Sequence, residues 1–370
     1  MIQVFKPFLG EEEIEAVAEV LRSGWIGTGP KTENLEREFA HFVKSPHVLA
    51  VNSATAALNL VMAAFVKPGD EVITPSFTFI SSTHSIFLAG AVPVFADIDP
   101  LILTLDPKDV IRKITPKTRA ILVVHYGGQP ANLKELKKIA REKHLLLFED
   151  CAHANGSYIN SHHVGTTSDA GVFSFAAIKN MTTGDGGMVV SPHKRMINKM
   201  RELAWSGISK TTWSRSSKKS YSWKYDVKFL GWKYLMNDIA AAIGLVQLKR
   251  MPQMNRSRRQ IALNYQKAFK NIPWLTFPQE KPGTLHSFHN FYILVPPSHR
   301  NKLIDYLAQK GVATTVHYFP NHRYSLYKKY YRHLPVTDFT YKSIINLPIY
   351  SNMTPAEQDQ VISAVLSFRA

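Results

Sequence analysis

Cysteine is nearly absent from this chain: one, Cys151, in 370 residues. A lone thiol excludes an internal disulfide framework and suits a reducing compartment. Long apolar runs are missing too. No stretch reaches the roughly 20 residues that a helix needs to span a bilayer, so membrane insertion is not expected. The opening residues, MIQVFKPFLGEEEIEAV, lack the basic-then-apolar pattern of a secretory signal, and the expectation is a cytoplasmic protein. Acidic residues are scarce beside basic ones, 28 Asp and Glu against 45 Lys and Arg, a formal net charge of +17. Such an excess attracts polyanions, acidic surfaces or phosphorylated small molecules. No zinc-ligand spacing or helix-turn-helix signature accompanies it, so an anionic small ligand is expected, without nucleic acid and without a metal.

What is present is alternation. Glu11–Ser23 carries Ile14, Val17, Val20 and Leu21 at helical spacing, with Gly24 as a stop. Short apolar runs then alternate with helical patterns: HVLAV, DEVITP, AVPVFADI, RAILVVHY and HLLLFED, with TAALNLVMAAF and LKELKKIAREK between them. Strands apolar on both faces, alternating with helices, predict an α/β fold with a mainly parallel sheet covered on both sides. GVFSF and GGMVVS read as adjacent strands. Past Asn237, NDIAAAIGLVQLKRM and RSRRQIALNYQKAFKNI read as long helices. The tail offers strand candidates HNFYILV and ATTVHYF around the helix KLIDYLAQKG, then a capping box at Thr354 and Glu357. The expected organisation is a large domain over 1–250 and a smaller α+β domain over 251–370. Ser206–Lys224, without an acidic residue, reads as a long basic loop.

Four features could carry chemistry. Lys179 stands in FSFAAIKNMTTGDGGMVVS, between an apolar run and a glycine cluster. Alone it reads as an exposed lysine beside a turn rather than as a functional amine. Asp150 ends HLLLFED, where ligands of open parallel sheets bind, although a helix N-cap is the simpler role for such a residue. In VNSATAALNL a strand runs into a helix start, whose free N–H groups and positive end suit a phosphate; Ser53 or Thr55 as a cap is compatible with that. Ser174, five residues before Lys179, could reach the same phosphate, and Phe79 in PSFTFIS could stack on a flat heterocycle or belong to the core. A pyridoxal phosphate (PLP) enzyme needs a lysine to carry the cofactor and an acid to keep the pyridine nitrogen protonated.

Taken with GEEEIEAVAEVLRSGWIGTGP, HYGGQP, FEDCAHANG, GWKYLMNDIAAAIGLVQL, VHYFPNH and LPIYSNMT, in order along the chain, these residues resemble the DegT/DnrJ/StrS family of PLP-dependent nucleotide-sugar aminotransferases. The resemblance implies a fold type I architecture, with a mainly parallel sheet of the seven-stranded type between helices. It implies a homodimer with shared active sites. By position, Lys179 looks like the Schiff-base lysine, Asp150 the pyridine-nitrogen partner, and His153 the residue over the ring near its phenolic oxygen. Ala54, Thr55 and Ser174 match phosphate-binding positions and Phe79 the stacking aromatic. Lys233 matches a residue that reaches the phosphate of the neighbouring subunit's cofactor. Three residues depart from the pattern: Ala54 for glycine, which requires a negative φ; Ala176 for His or Tyr; and Leu235 for Arg or Asn.

The implied reaction transfers an amino group from L-glutamate or L-glutamine to a nucleotide-linked keto sugar, through pyridoxamine 5′-phosphate, for surface polysaccharide or glycoside biosynthesis. Candidate substrate contacts are His317 and Tyr318, with His322 and Arg323 nearby, and Lys210, Arg215, Lys218 and Lys219 of the basic loop. Alternatives are a non-nucleotide keto-cyclitol substrate, a sugar dehydratase, and a non-catalytic PLP-binding regulator. Lysine at 179 argues against the dehydratase, in whose relatives histidine stands there.

Overall fold

The computed structural model describes residues 1–208 and 225–369. Its centre is a sheet of seven strands: β1 (Val48–Val51), β2 (Glu71–Pro75), β3 (Val92–Ala96), β4 (Thr118–Val124), β5 (Leu146–Asp150), β8 (Ala170–Ser174) and β9 (Gly187–Val190). Their order across the sheet is β1-β9-β8-β5-β4-β2-β3. Only β9 runs against the others. Two short strands, β6 (Tyr158–Ile159) and β7 (His162–His163), form a separate ribbon with β10 (Thr284–Leu285).

Alternate residues of each strand enter opposite layers, as the period of two requires. Leu49, Val51, Leu122, Phe148 and Val172 pack beneath α3 (Ala54–Phe65) and α7 (Lys194–Ala204). On the other face, Val48, Ala50, Phe173 and Met188 meet α2 (Pro30–Val43) and the first half of α8 (Asp238–Phe269). Ile73, Ile121, Val123 and Leu147 meet α5 (Pro107–Lys113) and α6 (Leu133–Glu142). Helix α3 is apolar nearly all round because it lies between the sheet and its helical neighbours α4 (Ile80–Leu88) and α7.

The two long helices read past Asn237 are one, α8, with Pro252 inside it. Its second half supplies Ile261, Ala262, Tyr265 and Phe269 to a second core. That core also takes β11 (Phe291–Leu294), its antiparallel partner β12 (Ile344–Leu347), α9 (Pro297–Gln309) and α11 (Pro355–Leu366), with α10 (Pro335–Ser343) alongside. The Thr354–Glu357 capping box is formed.

One expectation is met with an unexpected contact, and one needs correction. Helix α1 (Glu11–Ser23) forms, but Ile14 and Leu21 are exposed, and the helix docks on α8 through Glu13, which accepts from Gln247 Nε2 at 2.7 Å and Arg250 Nη1 at 2.9 Å. ATTVHYF is no strand; a single bridge joins Thr315 to Asn346, and the pairing partner of β11 is β12. The residues that would extend a ladder are used elsewhere, because His317 and Tyr318 turn away to line a cavity at the large sheet.

Candidate active site

The parallel strands β1, β2, β4, β5 and β8 all end at one edge of the sheet, and the residues just beyond them surround a cavity of about 340 Å³. Ser53, Ala54 and Thr55 follow β1, Phe79, Ser81 and Ser82 follow β2, and Val124 ends β4. Asp150 and His153 come from β5, and Ser174, Ala176 and Lys179 from β8; His317 and Tyr318 arrive from the C-terminal part. Residues separated by more than 100 positions thus share one hollow.

Asp150 is 4% exposed. Its Oδ2 accepts from Ser82 Oγ at 2.8 Å and its Oδ1 from the Ala152 backbone N–H at 3.0 Å. Burial pushes its pKa up, against the opposing pull of those two donors and of Lys179. Lys179 is half-buried, and burial, partly offset by Asp150, lowers its amine to about 8 from the ordinary 10.5. Its loop is held by Lys179 N–H donating to Ala176 C=O at 2.9 Å and by the neighbouring Asn180 amide donating to Ser287 C=O at 3.0 Å. Glu149, beside Asp150 in β5, is fully buried and accepts from His125 Nε2, the Gly165 N–H and Ser168 Oγ.

At the opposite wall, Ser53 caps α3 by accepting the Ala56 N–H at 3.1 Å, leaving the first N–H groups of the helix toward the cavity mouth. Thr55 and Ser81 hydroxyls are 2.8 Å apart. Ala54 is the first helical residue, not a positive-φ position, so the alanine meets the condition its place imposed. The glycines after Lys179 include a packing device: a Cβ on Gly187 would lie 2.7 Å from Ala54 N and 2.8 Å from Phe173 O. Absence of a side chain there lets β9 approach the α3 N-terminus. Phe79, 55% exposed at the cavity mouth, has its ring centroid 6.0 Å from that of Tyr318.

His322 and Arg323 do not join this set: His322 Nδ1 is bound to Ser76 Oγ at 2.6 Å and Arg323 pairs with Asp338. Lys233 is exposed, off its own chain's cavity, with Nζ 5.8 Å from the Trp205 ring centroid. Lys210, Arg215, Lys218 and Lys219 lie outside the described residues. Ser81, Ser82 and the contact between Tyr318 and His153 were not anticipated. Two serines at a helix start carry no sign of which distant carboxylate they will meet.

A lysine and a carboxylate at the carboxyl edge of a mainly parallel seven-stranded sheet, with a helix N-terminus opposite, define the fold type I aminotransferase class. Residues 7–366 match the DegT/DnrJ/EryC1/StrS aminotransferase family, and the chain belongs to that family. The spore coat polysaccharide biosynthesis protein SpsC of Bacillus subtilis is 40% identical, over 97% of this chain and 95% of that protein. The solved sugar aminotransferase CalS13 of Micromonospora echinospora is 29% identical and superposes with a TM-score of 0.92 over the whole of both chains. Spr1654 of Streptococcus pneumoniae, in its PMP form, is 31% identical with a TM-score of 0.93 over 98% of each chain, and has also been solved in a PLP form. This protein is therefore a transaminase of a sugar aminotransferase family whose members depend on PLP. No helix among the described residues is long and apolar enough to cross a membrane.

Proposed function

We propose that the enzyme moves an amino group from L-glutamate or L-glutamine to a keto-deoxy sugar carried on a nucleotide, at the cavity beside Lys179. The observation that carries this reading is the meeting of the Lys179 amine, the Asp150 carboxylate and the α3 N-terminus around one hollow. The residues fit PLP. Asp150, buried and engaged by two donors, has acceptor capacity left for a ring N–H, whose positive charge would favour the ionised carboxylate that burial disfavours. The α3 N–H groups with Thr55, Ser81 and Ser174 offer donors and a positive helix end to a phosphate dianion. Phe79 lines the same cavity and offers a ring face to a flat heterocycle.

When bound, the cofactor supplies an electron sink for the bond broken at the amino donor's Cα. Lys179 would hold it through the side-chain amine, and that amine, when free, would act as the base. An amine with a pKa of about 8 is unprotonated in a useful fraction near neutrality, so it can take the Cα proton and return it one position away. Asp150 would accept the ring N–H and favour its charged form. His317 and Tyr318 face the substrate side.

A homodimer with shared sites belongs to the same reading. Lys233 is exposed away from its own cavity, and Leu230, 98% exposed with Val227 and Phe229 exposed beside it, leaves an apolar strip for a second subunit to cover. So does a division near residue 250 into a cofactor-holding domain and a smaller C-terminal one. SpsC, a polysaccharide biosynthesis protein, supports an amino sugar destined for a surface polymer, and the +17 charge favours an anionic, nucleotide-linked substrate. The test is incubation of the holoenzyme with L-glutamate or L-glutamine and matched keto sugars, free and nucleotide-linked, with products read by mass spectrometry. Amination of only the free sugars or cyclitols would remove the nucleotide from the proposal.

A further inference from the structure

His153 is 5% exposed and gripped at both ring nitrogens. Its Nδ1 accepts the Gly127 backbone N–H at 3.3 Å, and its Nε2 lies 2.9 Å from Tyr318 Oη. Since a backbone N–H only donates, Nδ1 presents a lone pair. Burial, reinforced by the nearby Lys179 and His317, pushes the imidazole pKa well down, so the ring is neutral. A neutral ring with a lone pair on Nδ1 carries its single proton on Nε2. That proton is given to the Tyr318 oxygen. The hydroxyl hydrogen of Tyr318 is then left without an acceptor among the described residues.

The surroundings hold this arrangement. Gly127, whose N–H meets the ring, sits at φ +62°, a backbone conformation that favours glycine. The His289 ring packs 4.4 Å from that of His153, and its own Nδ1 is 3.1 Å from Asn180 Oδ1. The Asn180 amide nitrogen is already given to Asn255 Oδ1 and Ser287 C=O, so its oxygen faces His289 and fixes that tautomer as well. On the other side Tyr318 stacks at 5.9 Å and 16° to His153, and lines the cavity with Asp150 and Lys179. Burial and the Asp150 charge push the Tyr318 pKa up, so its hydroxyl keeps the proton it can donate.

We propose that Tyr318 is the hydrogen-bond donor this cavity presents to an anionic or carbonyl oxygen of its occupant, and that His153 is a positioning residue acting through Tyr318. This rests on the cavity being the cofactor and substrate centre argued above. It reassigns the contact that resemblance gives to His153, because the one ring proton of His153 is already committed.

Two measurements test it. In the ligand-free protein, long-range ¹H–¹⁵N correlation should show His153 protonated at Nε2 and bare at Nδ1 from about pH 6 to 9. An Nδ1–H tautomer, or an imidazolium in that range, overturns the proposal. In the holoenzyme without substrate, the pH midpoint of the cofactor's absorbance change is followed. Loss of a donor disfavours a deprotonated form, so Tyr318→Phe should raise the midpoint by about one pH unit, a tenfold change in proton affinity. His153→Ala should raise it less, and the double variant no more than Tyr318→Phe alone. An unmoved midpoint in Tyr318→Phe, or additive shifts in the double variant, overturns the proposal. Absence of any cofactor absorbance would instead defeat the cofactor reading, while the tautomer measurement still decides the arrangement of His153.

Discussion

Keeping Lys179 inside the fold costs stability, and the cost can be removed with one substitution. Its amine lies at about 8 rather than 10.5 because burial outweighs the attraction of Asp150. At ~1.36 kcal/mol per pH unit, the charged amine destabilises the ligand-free fold by roughly 3 kcal/mol at neutral pH. Lys179→Met keeps the stem and deletes the charge. It should therefore stabilise the cofactor-free protein at pH 7 by about 1–3 kcal/mol, the lower figure allowing for water at this half-buried site and for the lost attraction to Asp150. The sign with pH follows from proton binding. Between pH 8 and 10.5 the unfolded chain holds the Lys179 proton and the folded protein has released it, so wild-type stability rises across that window. The advantage of the variant is full below about pH 8 and fades toward 10.5. Urea unfolding of both proteins, stripped of cofactor, at pH 7 and 10 measures it. A variant less stable at pH 7, or a gap that does not narrow at pH 10, would refute the buried amine. Transaminase activity should be lost in the same variant, the trade between stability and function expected at an active site.

Other substitutions probe the scaffold of the site. Gly187→Ala places a methyl 2.7 Å from Ala54 N, with backbone on both sides; it should cost about 1–3 kcal/mol and weaken PLP binding by displacing the α3 N-terminus. Unchanged PLP affinity in a Gly187→Ala protein that does lose stability would detach that helix end from the phosphate. Glu149→Gln removes the charge from an acceptor of three hydrogen bonds and should cost on the order of 1–3 kcal/mol by urea midpoint. Burial raises the Glu149 pKa, but the bonds from His125, Ser168 and Gly165 together outweigh it and leave it below 4.5. Its contribution is thus present above pH 4.5 and lost as the pH falls through the lower folded value, and wild type and variant should converge in acid.

The fold was legible where burial dictates composition. Strands such as RAILVVHY, apolar on both faces, can only sit inside a covered sheet, and β4 is such a strand. Asp150 ends β5 and Lys179 lies in the loop just after β8, and those two strands do lie side by side in register. What was not legible depended on partners distant in the chain. The spacing of Ile14, Val17, Val20 and Leu21 predicts the helix α1, and Val20 is buried in it. The spacing does not show that a hydrogen-bonded Glu13 shares the inside place, chosen by Gln247 and Arg250 more than 230 residues away. ATTVHYF has the pattern of a strand, but pattern does not say that His317 and Tyr318 will turn to a cavity built by another part of the chain. Ser82 follows the same logic: its role is set by Asp150, 68 positions on. At Gly187, in the glycine cluster after Lys179, the need is room for the α3 N-terminus, which is set by residues far earlier in the chain.

The central claim is that Lys179 carries the cofactor. Borohydride reduction of the PLP-loaded protein, followed by peptide mapping, tests it most directly. The label is predicted on the peptide containing Lys179, and no peptide should be labelled in Lys179→Met. Stoichiometric label on another lysine, such as Lys233, or full labelling of the variant, would contradict the account.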